Sequence, residues 1–252
     1  MSSQSMTAAP QSARVRAQAA FETRTVLTNG EQLLVSVLLP ALALIGLSAT
    51  DVPDLGAGRR IDLAVPGVLA LAVVSTAFTG QAIATGFDRR YGLLRLLGVT
   101  PLGPKGLLAG KAIAVLSVIA VQVVLLGALG LILGWHPHWG GVLLALVVIA
   151  LAAWAFVALA LLLAGALRSE GVLALANLIW VLLLVGGGLI VPTGELPASV
   201  GGVVRLLPSG ALGDGLRAAL AGSGSAWLPL MVLLVWALAG STLLARTFRW
   251  AD

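Results

Sequence analysis

The sequence predicts an all-α, polytopic membrane protein with six transmembrane helices. Hydrophobic residues make up 59% of the 252 residues, charged residues make up only 10%, and the mean hydropathy is +1.05. Soluble domains are about half apolar and about a quarter charged. Long runs without a charge recur along the chain, as expected of helices that cross about 30 Å of hydrocarbon. Because these runs are continuously apolar and do not alternate, they favour a helical bundle over a barrel.

Each predicted span rests on an apolar run that is long enough to cross the membrane as a helix. In chain order, we expect spans at about Leu33–Ala49, Ile61–Phe87, Gly106–Leu133, Gly141–Leu167, Gly171–Val191 and Ala226–Ala245. We therefore expect the whole chain, residues 1–252, to form a single transmembrane domain.

The first 31 residues combine a polar tail with a mixed segment at about Ala8 to Gly30. On a helix, Arg14, Gln18 and Thr25 share one side, whereas small and apolar residues favour another. This pattern predicts a helix that lies in the membrane interface on the cytoplasmic side. For the residues before Arg14, a partly disordered tail is the alternative.

Lys and Arg residues collect on one side of the predicted membrane. Eleven of the fifteen lie in the N-terminal segment, in the loops after spans two and four, or in the C-terminal tail, and four lie opposite. Under the positive-inside rule, both termini are expected to be cytoplasmic, with the chain in the plasma membrane. This placement at span ends explains the formal charge of +5 by orientation and not by nucleic-acid binding.

The predicted membrane interior holds few polar groups. No Asp, Glu, Arg or Lys lies near the middle of a span, and ion-coupled transporters usually need such a residue. Gln122 and Asn177 could contact a substrate or bind a neighbouring helix. Trp154 and Trp180, like Trp236, lie near span centres and could line a cavity or simply pack. The candidate substrate pathway consists of Gln122, Trp154, Asn177 and Trp180. An interior poor in charge suits an apolar or amphipathic cargo.

Signals for enzymes and metal sites are weak. The chain has no cysteine and two histidines, His136 and His138, so we expect no metal site. Gly110-Lys111 is not part of a phosphate-binding loop, because that motif needs Gly where Lys105 stands and Ser or Thr after the lysine. We therefore expect no catalytic residues.

The segment DRRYGLLRLLGVTPLGPKGLLAGK runs from Asp88 to Lys111, between spans two and three. It resembles the first cytoplasmic loop of ABC-type-2 export permeases, the membrane subunits of drug, antibiotic and polysaccharide exporters. Those loops typically read Glu-Arg-Glu-x-Gly-Thr-Leu-Glu-x-Leu-x-x-Thr-Pro-Leu, with Gly-Lys farther on. The matching residues are Arg89, Gly92, Leu94, Leu97, Thr100, Pro101, Leu102, Gly110 and Lys111.

The resemblance implies that two separate ATPase subunits bind ATP and Mg²⁺, so that this chain itself holds no cofactor. It also implies a second permease copy, identical or paralogous. In the family, a short helix in this loop (residues 88–105 here) sits in a groove of the ATPase and passes its movement to the spans. The residues assigned to this coupling role are Asp88, Arg89, Arg90, Tyr91, Gly92, Leu94, Arg95, Leu97, Thr100 and Pro101.

The residue pattern itself suits a short, stiff helix. Asp88 is a good N-cap residue, and Leu93, Leu94 and Leu97 would share one side of the helix. The residues expected to end the helix and turn the chain back to the membrane are Gly98, Thr100-Pro101 and Gly103-Pro104.

One departure from the family pattern concerns the acidic positions of the loop. Arg90 and Arg95 stand where relatives have acids, which leaves Asp88 as the only acid. Either the partner groove is more acidic than usual or this chain pairs with a dissimilar second permease. In the alternative interpretation, Arg89, Arg90 and Arg95 only orient the chain and bind anionic lipid head groups.

A second resemblance lies between spans five and six, in VPTGELPASVGGVVRLLPSGALGDGLRAAL. The family often has Leu-Pro, a short helix, a second Leu-Pro, and a helix that ends near Asp-x-x-Arg. Leu196-Pro197, Leu207-Pro208, Asp214 and Arg217 fit that order. The resemblance implies an extracytoplasmic helical hairpin at 192–225 that re-enters the outer leaflet, with its exit residues being Glu195, Arg205, Asp214 and Arg217.

Taken together, these features predict the permease subunit of an ATP-driven exporter for a lipophilic or amphipathic drug, antibiotic or lipid. A membrane-embedded lipid-modifying enzyme is one alternative, although the sequence lacks clustered carboxylates and histidines. A non-transporting assembly or sensor subunit is the other.

Overall fold

The computed structural model describes residues 9–28, 30, 34–93, 96, 100–222 and 224–247. Every regular element in these residues is helical. The prediction of an all-α, polytopic membrane protein is therefore confirmed.

The α-helices of the described residues follow one another with short connections. In chain order they are α1 (Gln11–Thr28), α2 (Leu39–Ala49), α3 (Arg60–Val74), α4 (Gln81–Arg90), α5 (Gly103–Ile132), α6 (Val142–Ala166), α7 (Ser169–Gly186), α8 (Ala198–Val204), α9 (Pro208–Leu220) and α10 (Trp227–Thr247). Two segments are π-helical. Leu34–Leu38 precedes α2, and Ser75–Gly80 joins α3 to α4.

Within the described residues, five helical stretches are long and apolar enough to cross a membrane. They are Arg60–Arg90, Gly106–Ile132, Trp139–Ala166, Ser169–Gly186 and Trp227–Thr247, and they correspond to predicted spans two to six. The predicted first span is represented by a shorter apolar helix, Ser36–Ala49, and Leu33 lies outside the described residues. The fifth span ends at Gly186 and not at Val191, because three consecutive glycines there do not favour a helix.

The core of the bundle is built around α3. Thirteen of the fifteen residues in α3 are buried. Its apolar side chains therefore pack against other helices of the chain. The helix α9 packs against α3, α6 and α10 and buries nearly every one of its residues. The helices therefore form one bundle in which α9 occupies the interior at one end.

The loops sort into two groups that mark the two ends of the bundle. At one end, α1, the end of α4 and the junction of α6 with α7 are joined by side-chain contacts. At the other end, Arg59 donates to the Gly134 carbonyl, and the His138 amide donates to the Leu220 carbonyl. This grouping agrees with the predicted sorting of the loops, and the assignment of the first end to the cytoplasm stays a prediction from the Lys and Arg distribution.

Candidate functional site

The loop after α4 begins with a sharp turn at a glycine. The helix continues through Arg90, and Gly92 then has a φ of +71°, a conformation that glycine adopts without the steric cost of a side chain. The Leu96 amide donates to the Gly92 carbonyl at 3.1 Å, so a new helical turn begins there. Asp88 is therefore not an N-cap residue as predicted, because it lies inside α4.

The far side of the loop returns the chain to the membrane where the sequence predicts it. The Gly103 amide donates to the Thr100 carbonyl at 3.1 Å, which closes a turn at Pro101. α5 begins at Gly103 with a proline in its first turn, where proline is well tolerated. Five residues of the predicted coupling loop at 88–105 lie outside the described residues, namely Leu94, Arg95, Leu97, Gly98 and Val99.

The described part of the loop presents large apolar side chains to its surroundings. Tyr91 is 76% exposed and Leu96 is 64% exposed. The Tyr91 ring stacks on Phe87 with ring centroids 6.2 Å apart, so its base is fixed to the end of α4. This surface of Tyr91, Leu93 and Leu96 is suited to a protein partner, because large exposed apolar groups at one place are typical of interaction sites.

A buried ion cluster fixes the base of this loop. Lys111 in α5 is only 5% exposed. Its Nζ atom lies 2.8 Å from a carboxylate oxygen of Asp88 and 3.4 Å from one of Glu22. Glu22 also accepts a hydrogen bond from Gln18 at 2.8 Å. We call Glu22, Asp88 and Lys111 the Lys111 cluster, and it joins α1, α4 and α5 through one ammonium group.

Gly110 explains why the cluster can form. A Cβ atom at this position would lie 2.8 Å from the Gln18 side chain, so only glycine lets α1 pack this closely against α5. Farther along the same contact, Gln11 donates to the Leu102 carbonyl at 2.9 Å. The Gly110-Lys111 pair therefore has a structural role in docking α1. The family motif contains this pair, but the sequence alone does not indicate its partners on α1.

Arg89 and Arg90 attach the end of α4 to the junction of α6 with α7. Arg89 donates to the carbonyls of Ala164 and Gly165, at 3.2 and 2.9 Å, in the last turn of α6. These carbonyls have no helical partner, and a cation there also complements the helix dipole. Arg90 forms an ion pair with Glu170 in the first turn of α7. The arginine that replaces a family acid therefore has a partner within the chain.

The π-helical segment Ser75–Gly80 is contacted by two of the predicted pathway residues. Gln122 is 1% exposed, and it accepts a hydrogen bond from Thr76 at 3.0 Å and donates to the Ser36 carbonyl at 2.9 Å. Ser36 belongs to the other π-helical segment. On α7, Trp180 donates to the Ser75 hydroxyl at 2.8 Å. Gln122 thus connects both π-helical segments, which often mark functional sites in helices.

Trp154 and Asn177 lie apart from that polar contact. Trp154 is 45% exposed and donates to the Ser241 hydroxyl at 2.9 Å. The exposed Asn177 donates to the Leu173 carbonyl of its own helix. The four pathway residues therefore do not line one cavity in a single chain.

An apolar cleft of about 320 Å³ lies between α6, α7 and α10. It is lined by Phe78, Phe156, Leu159, Leu163, Ile179, Leu183, Pro208 and Trp236. Phe78 and Phe156 make an edge-to-face contact with ring centroids 6.2 Å apart. Of the tryptophans near span centres, Trp236 borders this cleft. The two phenylalanines are not predictable from the sequence, because apolar residues in a span give no signal that separates a cavity wall from packing.

The hairpin between α7 and α10 is organised by Arg217. This residue is 3% exposed, and its guanidinium donates to the carbonyls of Gly188, Leu189 and Ile190. It also lies 3.4 Å from the Asp214 carboxylate, which accepts from Thr193 in turn. Burial lowers the pKa of Arg217 to about 10, so it remains cationic at neutral pH.

The four predicted exit residues therefore have different positions. Asp214 is half-buried and Arg217 is buried in the hairpin, whereas Glu195 and Arg205 are exposed. Close backbone approaches complete the hairpin: a Cβ atom at Gly213 would lie 2.3 Å from the Gly188 carbonyl oxygen and 2.9 Å from the Arg217 side chain. Arg217 and Asp214 thus bind the non-helical segment that follows α7 to α9.

Comparison with known proteins agrees with this arrangement. A family model described as ABC-2 type transporter matches residues 19–221, which is most of the chain and reaches from α1 to the end of α9. No curated protein matches the chain.

Proposed function

The chain belongs to the ABC-2 type transporter family, and we propose that it is the permease of an exporter for a lipophilic or amphipathic compound. The proposed cargo is a drug, an antibiotic or a lipid. A permease subunit of an ABC transporter works with ATPase subunits that supply the energy. In our proposal these are two separate chains that hold ATP and Mg²⁺, and a second permease copy completes the transport pathway across the plasma membrane.

The observation that supports this proposal most strongly is the set of ion contacts at the base of the loop. The Lys111 cluster ties the end of α4 to α1 and α5. Arg89 and Arg90 tie the same short stretch to α6 and α7. A displacement of the loop would therefore reach four other helices directly.

The proposed coupling step follows from this geometry. An ATPase subunit would contact the exposed side chains of Tyr91, Leu93 and Leu96. When ATP binding moves the ATPase, the end of α4 would move with it, because the turn at Gly92 directly follows the helix. The ion contacts would then shift α1, α5, α6 and α7 together.

The membrane interior supports an apolar or amphipathic cargo. The polar side chains Gln122 and Trp180 are already hydrogen-bonded within the chain, so they present little polar surface to an ion. The cleft beside Phe78 and Phe156 is almost entirely apolar, and apolar cavities exclude water and accept apolar groups. A lipophilic compound could therefore be accommodated without an unpaired buried charge.

Reconstitution tests the proposal. The chain would be co-expressed with a candidate ATPase, purified as a complex and placed in liposomes that contain a fluorescent lipophilic compound. We expect ATP-dependent movement of the compound, ATP hydrolysis that increases with its concentration, and loss of both when the ATPase is inactivated. Transport of a small ion would argue against the proposed cargo class, and hydrolysis without any transport would favour an assembly or sensor subunit.

A further inference from the structure

A groove of about 530 Å³ runs between the N-terminal helix α1 and the first part of α5. It is separate from the apolar cleft and from the loop at Tyr91. Its walls combine basic, hydroxyl and apolar side chains, namely Arg16, Ala19, Ala20, Thr23, Arg24, Leu27, Thr28, Ile113 and Ser117. The proposed coupling contact and the apolar cleft both lie outside this groove.

The two arginines of the groove have no intramolecular role in the described residues. Arg16 and Arg24 are both exposed, and neither guanidinium has a hydrogen-bond or ion-pair partner there, unlike Arg90 and Lys111. Arg16 and Arg24 are eight positions apart on α1, which places their Cα atoms about 12 Å apart along the helix. Extended arginine side chains can therefore converge on one anionic group that lies between them.

The local charge balance favours an anion in this position. α1 contains one acid, Glu22, and its carboxylate is engaged by Lys111 and Gln18. It therefore does not neutralise Arg16 or Arg24. Thr23 lies in the same wall between them, and its hydroxyl can donate to a phosphate oxygen.

Beyond the arginines, the groove is lined by apolar side chains and by the hydroxyls of Thr28 and Ser117, which donate to carbonyls of their own helices. Leu27 and Ile113 line it beyond Arg24, and Ile113 is 43% exposed. Phe21, on the outer side of α1, is 68% exposed, as expected for a helix with one side in the acyl-chain region. A free phosphate ion would leave this apolar wall uncovered. A ligand with both a phosphate and hydrocarbon chains would cover both parts.

We propose that this groove binds an anionic phospholipid. The lipid phosphate would lie between Arg16 and Arg24, within reach of Thr23, and an acyl chain would lie along Leu27 and Ile113. Basic pockets between membrane helices are a known setting for anionic head groups. The site does not depend on the ATPase or on the cargo, so it can be tested on the purified chain alone.

The test is lipid titration of the full chain in detergent micelles, followed by native mass spectrometry. Phosphatidylglycerol and phosphatidylcholine with identical acyl chains would be compared, with inorganic phosphate as a competitor. We expect phosphatidylglycerol to bind more tightly, and Arg16→Gln and Arg24→Gln to weaken it by roughly fivefold each. Arg246→Gln is the matched control, because Arg246 is also an exposed arginine in a terminal helix, and it should leave affinity unchanged.

A second variant tests the contribution of the groove's shape to lipid binding separately from that of its charge. Ala20→Trp keeps both arginines and fills the space between them, so it should weaken phosphatidylglycerol binding as well. Equal binding of the two lipids, or equal loss in Arg246→Gln, would show a non-specific charge effect and overturn the proposal. Displacement of the lipid by millimolar inorganic phosphate would identify an anion site without lipid selectivity and would also overturn it.

Discussion

Replacement of Lys111 by methionine tests the contacts at the base of the loop. The substitution keeps most of the apolar stem and removes the ammonium, which leaves the carboxylates of Glu22 and Asp88 without their shared cation. The Lys111 side chain is 6% exposed, and those of Glu22 and Asp88 are 19% and 23% exposed. Breaking a fully buried ion pair costs about 3–5 kcal/mol. Because water reaches the two carboxylates in part, we expect a loss of about 2–3 kcal/mol in the free energy of unfolding.

The control series separates lost charge from lost packing. A triple variant that combines Lys111→Met with Glu22→Gln and Asp88→Asn has no unpaired charge, so it should recover most of the lost stability. Arg246→Met removes an exposed arginine and should change the free energy of unfolding by less than about 0.5 kcal/mol. Unfolding of the purified protein in mixed micelles can be followed by the fluorescence of its seven tryptophans.

The same variants report on coupling. In the reconstituted complex, Lys111→Met should lower the amount of compound moved per ATP hydrolysed, because the end of α4 would no longer be held to α1 and α5. Two results would refute the reasoning. One is a Lys111→Met protein as stable as Arg246→Met, and the other is a triple variant as unstable as the single one.

Three further outcomes are expected from the structure. Arg90→Glu should reduce transport while changing stability by less than about 1 kcal/mol, and adding Glu170→Arg should restore transport. If the second change restores nothing, Arg90 contacts a partner instead of α7. Gly213→Ala should lower the free energy of unfolding by about 2 kcal/mol through a clash with the backbone, whereas Gly202→Ala, with open space around it, should not destabilise the protein in the same denaturation assay. Gln122→Leu should cost about 1–3 kcal/mol, because it leaves buried polar groups unpaired, and an unchanged unfolding midpoint would contradict this.

The membrane spans could be predicted from the sequence because they depend on run length and composition. Those two properties are independent of which helices pack together, so five predicted spans correspond to long helices in the described residues. The π-helical segments could not be predicted, since a shift in the backbone hydrogen-bond register leaves no mark in composition. The prediction that a helix of the loop begins at Asp88 was also wrong, because a preference for one residue type does not fix where a helix ends. Aspartate favours an N-cap, but here its carboxylate binds Lys111 and the helix continues past it.

The polar contacts were the least predictable part of the candidate site. Lys111 and Glu22 are 89 positions apart, and Glu22 lies in the N-terminal segment, before the first predicted span, so no local pattern pairs it with Lys111. Arg217 was assigned to the exit by resemblance, yet it is buried against the carbonyls that follow α7. The run of glycines at 186–188 was the available signal, because glycine disfavours a helix and the carbonyls at a helix end need a donor.

The most direct test of the coupling role is site-specific cross-linking from the loop to the ATPase. The chain has no cysteine, so Leu96→Cys provides a unique attachment point for a photoreactive maleimide, and Val200→Cys on α8 provides an exposed control at the other end of the bundle. We predict a cross-link to the ATPase subunit from position 96 that changes in yield when ATP is bound, and none from position 200. Absence of a cross-link from position 96 in an assembled, transporting complex would contradict the coupling role of this loop.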